Sequence, residues 1–199
     1  MTFLGLRLGN EPQLSVRNIQ SLGSLAEENG YGELWMTEGE GRDSLTQLTA
    51  IGTVTSQIRL GTGILPMFSR SPLITAMSSA GLASVTGDRF ILGLGVSHEP
   101  LVSGLRQLEY LKPIEAMRAY LEQMNMSPYS SKPPEKQPIC LLAALGPRML
   151  ELSAELADGA HPYWTNPEHT QQARKIIGDE KLLCVEQKVV ITTNQEIAY

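Results

Sequence analysis

The segment RFILGLGVSHEP, Arg89 to Pro100, ends an apolar run in two glycines, a serine and a histidine. Glycine lets a backbone come close to a ligand or to another strand. Histidine titrates near neutral pH and moves protons. Gly95 with Val96 beside it, Ser97 and His98 therefore suit the edge of a bound planar molecule. Gly95 leaves room, Ser97 offers a hydrogen bond, and His98 does acid–base work. A plain turn with a surface histidine is the competing reading. Half of a dinucleotide fingerprint is a third, but G-x-G-x-x-G needs a third glycine where His98 stands, and no Gly-Lys-Ser/Thr occurs.

Other chemistry-bearing residues also follow apolar runs. Gly63-Ile64-Leu65-Pro66 closes one run, and Ser69 and Arg70 come next, within reach of a substrate or a coenzyme tail. Ala143, Ala144, Leu145 close another, and Gly146-Pro147 leads into a helix. The free N–H groups and positive dipole end of such a helix suit a phosphate. Arg148 in its first turn is unfavourable for the helix and useful to a bound anion. Glu38 and His161 end two further runs, as a candidate acid and a candidate pocket wall. His98, His161 and His169 are too scattered for a metal site. Cys140 and Cys184 lack a CxxC spacing and read as reduced, buried thiols of a cytosolic protein.

The elements that position these residues alternate. Apolar runs at Phe3–Gly9, 32–38, 58–65, 89–95, 139–145, 159–163 and 188–193 read as strands. Helical spacing covers 14–30, 43–56, 72–87, 113–126, 147–159 and 167–178. The Pro/Ser/Lys-rich stretch 127–138 reads as a surface loop. Strand–helix repetition with continuous apolar strands indicates a parallel sheet covered on both faces. An open doubly wound sheet and a (β/α) barrel both fit. Candidate residues behind many strands favour the barrel, because a doubly wound sheet gathers its ligand at one switch point.

The 199 residues suit one domain, 1–199, and 42% apolar against 19% charged residues supports a sizeable core. A net charge of −5 without a basic block gives no footing for nucleic acid or an anionic membrane. No stretch reaches a membrane span, and MTFLGLRLGNEP lacks the pattern of a signal peptide, so the expected location is cytoplasmic.

The block LGTGILPMFSRSPLITAMSSAGLASVTGDRFILGLGVSHEPLV resembles the core of the bacterial-luciferase-like monooxygenase superfamily. LLAALGPRMLELSAELADGAHPYWTNPEHT and LLCVEQKVVI resemble the same superfamily, in its branch of coenzyme F420-dependent oxidoreductases. The resemblance implies a TIM-type (β/α) barrel binding a deazaflavin, with FMN as the alternative, at its C-terminal rim. It implies a cis peptide at Gly63–Ile64 that supports the ring, and a cofactor phosphate near Gly146. Against the eight strands of such a barrel the chain offers about seven, so the last βα units are expected to be missing, and the exposed strand edges point to dimerisation covering part of the gap. Relatives carry an Asp-His pair where this chain has Glu38-Gly39, which changes the acid–base set. The expected activity is hydride transfer between coenzyme F420 and a small organic substrate. The alternatives are an FMN-dependent monooxygenase and a shortened, non-catalytic relative that binds a flavin or dimerises.

Overall fold

Most helices open on a side chain that satisfies their free amides. The computed structural model, which describes residues 4–9 and 12–194, places α1 at Val16–Glu28, α2 at Ser44–Gly52, α3 at Pro72–Thr86, α4 at Pro113–Asn125, α5 at Pro147–Leu156 and α6 at Pro167–Ile177. Ser15 and Asn18 form a capping box on α1. Asp43, Ser71 and Asn166 cap α2, α3 and α6. Gly87, with φ of 62°, ends α3 in the left-handed region.

The strands are β1 Gly5–Leu8, β2 Glu33–Met36, β3 Arg59–Thr62, β4 Leu65–Pro66, β5 Phe90–Gly95, β6 Ile139–Leu142, β7 Gly159–Ala160 and β8 Leu182–Leu183. All pair in parallel, in the order β1-β2-β3-β5-β6-β7-β8, with β4 continuing β3 along β5. Strand order follows chain order without the reversal a doubly wound sheet requires, so the wall is that of a barrel. With β3 and β4 taken as one interrupted strand, seven strands form it. Among the described residues β1 and β8 do not pair, so the barrel is incomplete.

Two expectations need correction. Residues 188–193 form no strand, and Val189 and Ile191 are 80% and 98% exposed. The seventh strand is β8, because α6 ends at Ile177 and a short turn delivers Leu182 to Gly159 of β7. The β-branched run that follows has strand propensity but pairs with no strand among the described residues. The connection after β5 also holds a π-helical turn, Pro100–Leu105, that apolar periodicity did not reveal. Phe3, expected to begin the first strand, lies outside the described residues. Segment 127–138 forms neither helix nor strand.

Side chains alternate across the wall. Leu34, Leu60, Phe90, Leu92 and Leu142 pack outward against the helices in the main core. Trp35, Ile91 and Leu141 form a second cluster on the other face. The sheet curls strongly, because Arg7 on β1 and Glu186 beyond β8 stand 3.1 Å apart although they belong to opposite ends of the strand order. The enclosed lumen also holds polar groups. Trp35 Nε1 donates to Glu33 Oε2 at 3.1 Å, and Glu33 pairs with Arg59. A Cβ on Gly61 would lie 2.4 Å from the Trp35 ring, so Gly61 makes room for that indole.

At the opposite end of the strands, Arg89 ties the turns together with five hydrogen bonds, to Thr86, Thr55, Ile58 and Gly52. Glu27 of α1 accepts the amides of Ser56, Gln57 and Ile58, which lead into β3. Burial raises the Glu27 pKa, but these amides and Arg89 outweigh it and hold the group below its ordinary value of 4.5. A depressed carboxylate stabilises the fold above its unfolded pKa and loses that contribution as pH falls through the folded value. Glu27→Gln therefore lowers stability by about 1 kcal/mol near neutrality, after allowance for screening. In urea titrations the gap from wild type is full above about pH 4.5 and closes below it.

Candidate active site

The wall breaks at the C-terminal end of β3. Gly61 pairs with Ile91 before the break and Leu65 pairs with Leu94 after it. Four residue steps thus face three, which makes a bulge that bends the strand and re-aims a side chain. The Gly63–Ile64 peptide within it is cis. Ile64 reaches across β5, where a Cβ on Gly95 would lie 2.4 Å from Ile64 Cδ1 and 3.1 Å from Ala143 Cβ. A Cβ on Gly93 would lie 1.9 Å from the Thr62 carbonyl oxygen. The two glycines of the RFILGLG run therefore admit the broken strand itself. The result is an apolar step of Ile64 over Gly95 and Ala143 at the C-terminal face.

Beyond this step Ser97 takes a positive φ of 60°, a conformation that non-glycine residues seldom adopt. Val96 packs partly into the main core. His98 is exposed, and its carbonyl accepts the amides of Leu101 and Val102 to start the π-helical turn. Gly146 is the N-cap of α5, without a side-chain cap, and open space surrounds the position where its Cβ would stand. Arg148 extends from that turn, 3.9 Å from Glu115, both well exposed. Ala144 is 1% exposed, backbone included, and its side chain belongs to the main core, whereas Ala143 faces Gly95. His169 is not a simple solvated residue, because its Nε2 donates to the Leu145 carbonyl at 2.7 Å and docks α6 beside Gly146.

His161 lies inside the lumen rather than on the rim. It is 5% exposed and stacks on Trp35 with ring centroids 4.7 Å apart. Its Nδ1 donates to the Cys184 carbonyl at 2.8 Å, which leaves Nε2 facing Glu186 at 3.6 Å. A Cβ on Gly63 would come 3.6 Å from that Nε2, so His161 supports the break from below.

Glu38 is locked. Its Oε1 pairs with Arg70 and its Oε2 accepts the Ser44 hydroxyl at 2.8 Å and amide at 3.2 Å. Arg70 also pairs with Asp43, the cap of α2. Desolvation opposes the Arg70 charge, but Glu38 and Asp43 outweigh it and push its pKa up. Next to this triad lies a cavity of about 370 Å³ lined by Glu38, Arg42, Asp43, Ser69, Arg70 and Arg106.

The model for luciferase-like monooxygenases matches residues 1–178. This chain belongs to the luciferase-like monooxygenase family. Protein Rv3520c of Mycobacterium tuberculosis, provisionally named a coenzyme F420-dependent oxidoreductase, is 30% identical over 194 residues, covering 82% of this chain and 56% of the relative. The 5,10-methylenetetrahydromethanopterin reductase of Methanolobus tindarius is 32% identical over 183 residues, with 83% and 56% covered. The oxygenating constituent of 3,6-diketocamphane monooxygenase from Pseudomonas putida, solved in complex with FMN, shares the fold with a TM-score of 0.75 at 12% identity, covering 89% of this chain and 61% of that one. The chain spans about half the length of the curated relatives it matches.

In this luciferase-like chain, sequence reasoning missed Arg42, Asp43 and Arg106. Asp43 was legible only as a helix cap. Arg106 sits in the long 96–112 connection, and connections of that length inside a compact domain commonly carry function. Both cysteines are poor nucleophiles. Burial pushes Cys140 up to about 12 and Cys184 up to about 11, so each stays a thiol.

The broken strand predicts an order of mutational cost. Gly93→Ala forces a methyl against backbone and lowers stability by about 3 kcal/mol. Gly95→Ala meets side chains only, Ile64 at 2.4 Å and the Ala143 methyl at 3.1 Å, and costs less, about 1–2 kcal/mol. Chemical denaturation of the two variants beside wild type reads the order directly, and equal losses overturn it.

Proposed function

We propose that this luciferase-like chain binds the deazaflavin coenzyme F420 on its C-terminal face and serves hydride transfer between that coenzyme and a small organic substrate. The observation that carries the reading is the apolar step of Ile64 over Gly95 and Ala143, a flat support at the end of three adjacent strands. The relative named as F420-dependent supports the choice of coenzyme. The residues fit such a group: Gly63, Ile64 and Gly95 would carry its ring, and Val96 and Ser97 its edge. The uncapped α5 turn at Gly146 and Pro147, with Arg148, would hold its phosphate, and Ala144 backs that turn from the core. When bound, the coenzyme supplies the hydride chemistry.

The chain's own residues orient and protonate. His98 is exposed beside Ser97 and acts as acid or base toward the substrate. Glu38 holds Arg70 in place, and Ser69 and Arg70 form the adjoining wall of the substrate pocket. His161 supports Gly63 from the lumen. A homodimer completes the reading. Leu73, Ile74, Met77 and Val85 leave an apolar stripe on α3 exposed by 41–54%, a surface suited to a second copy. FMN is the second reading, favoured by the shared fold with an FMN complex.

Fluorescence titration with F420 and, in parallel, FMN tests the proposal. F420 binds the tighter of the two, and Arg148→Ala weakens it about tenfold, the loss of one charge-assisted contact. Tighter FMN binding transfers the proposal to the flavin. A folded chain that binds neither overturns it.

A further inference from the structure

The rim cavity beside Glu38 has a charge pattern that the cofactor reading does not use. Three βα connections build it: the one after β2, the turn after β4, and the π-helical connection after β5. Three arginines and two carboxylates line it, so it carries a net positive charge. The pairings are uneven. Arg70 is neutralised by Glu38 and Asp43, and Arg42 donates to the Leu14 carbonyl. Arg106 has no such partner among the described residues. Its Nη1 is buried and makes no hydrogen bond among the described residues. A buried guanidinium N–H left unpaired is costly and is rarely retained without a partner. The other charged side chains of the cavity are already paired or hydrogen-bonded. The Glu38–Arg70–Asp43 triad sets the floor, and Arg70 is held further because its carbonyl accepts the Tyr120 hydroxyl at 3.0 Å.

We propose that this cavity binds the anionic group of a small-molecule substrate, a carboxylate or a phosphate, and that Arg106 receives it. A guanidinium offers the planar fork that matches either group. The volume of about 370 Å³ admits a small organic anion. Arg106 caps the end of the π-helical turn Pro100–Leu105, and the His98 carbonyl accepts the amides of Leu101 and Val102 at its start, so one short segment presents both the anion receptor and the proposed acid–base residue. The assignment to a substrate rests on the function proposed above; the affinity of the cavity for an anion does not.

The test is calorimetric titration of the full chain with inorganic phosphate and, separately, succinate, at matched ionic strength with chloride as control. Wild type binds at least one of them saturably, and which one identifies the anion. Arg106→Gln weakens that binding about tenfold or more, the loss of a charge-assisted hydrogen bond. Arg106→Lys, which keeps the charge and loses the fork, falls between them and serves if the glutamine variant misfolds, which circular dichroism shows. Binding that survives with F420 saturating supports a substrate site. Loss of the Arg106-dependent binding under F420 overturns it, because the cavity then belongs to the coenzyme. Unchanged affinity in both variants, or heats no larger than those of chloride, also overturn the proposal. Should F420 itself not bind, the function proposed above fails while the phosphate and succinate arms still decide this one.

Discussion

Thr62 and Gly93 hold together the place where the barrel wall breaks. The Thr62 hydroxyl donates to the Gly93 carbonyl at 2.7 Å and accepts the Gly93 amide at 2.8 Å. A side chain thereby replaces the ladder bonds that the bulge removes, and the buried backbone groups stay satisfied. The carbonyl of Thr62 then occupies the space a Cβ would need at Gly93. From this contact follow the extra residue in β3–β4, the reach of Ile64 over Gly95, and the resumed pairing of Leu65 with Leu94. The rim connections start from that resumed register.

The two ends of the barrel are built differently. At the N-terminal end, Arg89 and Glu27 spend their charge on backbone groups of turns, which is the work of stability. At the C-terminal end, charge is arranged around space. The lumen between them is neither a pore nor a purely aliphatic core. Trp35 supplies the apolar bulk, Glu33 pairs with Arg59 and Arg7 with Glu186, and His161 stacks on the indole. Unpaired charges at that depth would cost several kcal/mol each. Pairing across the seam between β1 and the chain after β8 removes that cost and brings together the two unbonded edges of the sheet.

The strands and helices were legible because both signals are local. Apolar runs mark strands covered on both faces, and Ser71-Pro72 with Gly87 brackets α3 almost residue by residue. The barrel order was legible from candidate residues recurring behind many strands. The last strand was misplaced because KVVITT has stronger strand chemistry than Leu182–Leu183, and only the turn length after α6 decides between them. At the site, glycine spacing announced close approach without saying of what; the answer at Gly95 is Ile64, thirty-odd residues away. Glu38 and Arg70 were visible as separate residues, but their pairing depends on two loops meeting. His161 sits at a strand end, yet side-chain parity turns it inward, and parity is fixed by a register the sequence does not state.

The step made by Ile64 is held from beneath, by β5 and β6, and owes nothing to the loops that rise around it. The two layers are therefore separable in an engineering sense. Libraries confined to exposed rim positions such as 69 and 98 change none of the residues that make the support, so loop variation can be explored on a constant platform. The reverse does not hold. Between Gly61 and Pro66 and along the facing strand each residue fits a neighbour's contour, and recombination across that boundary would join halves that no longer mesh.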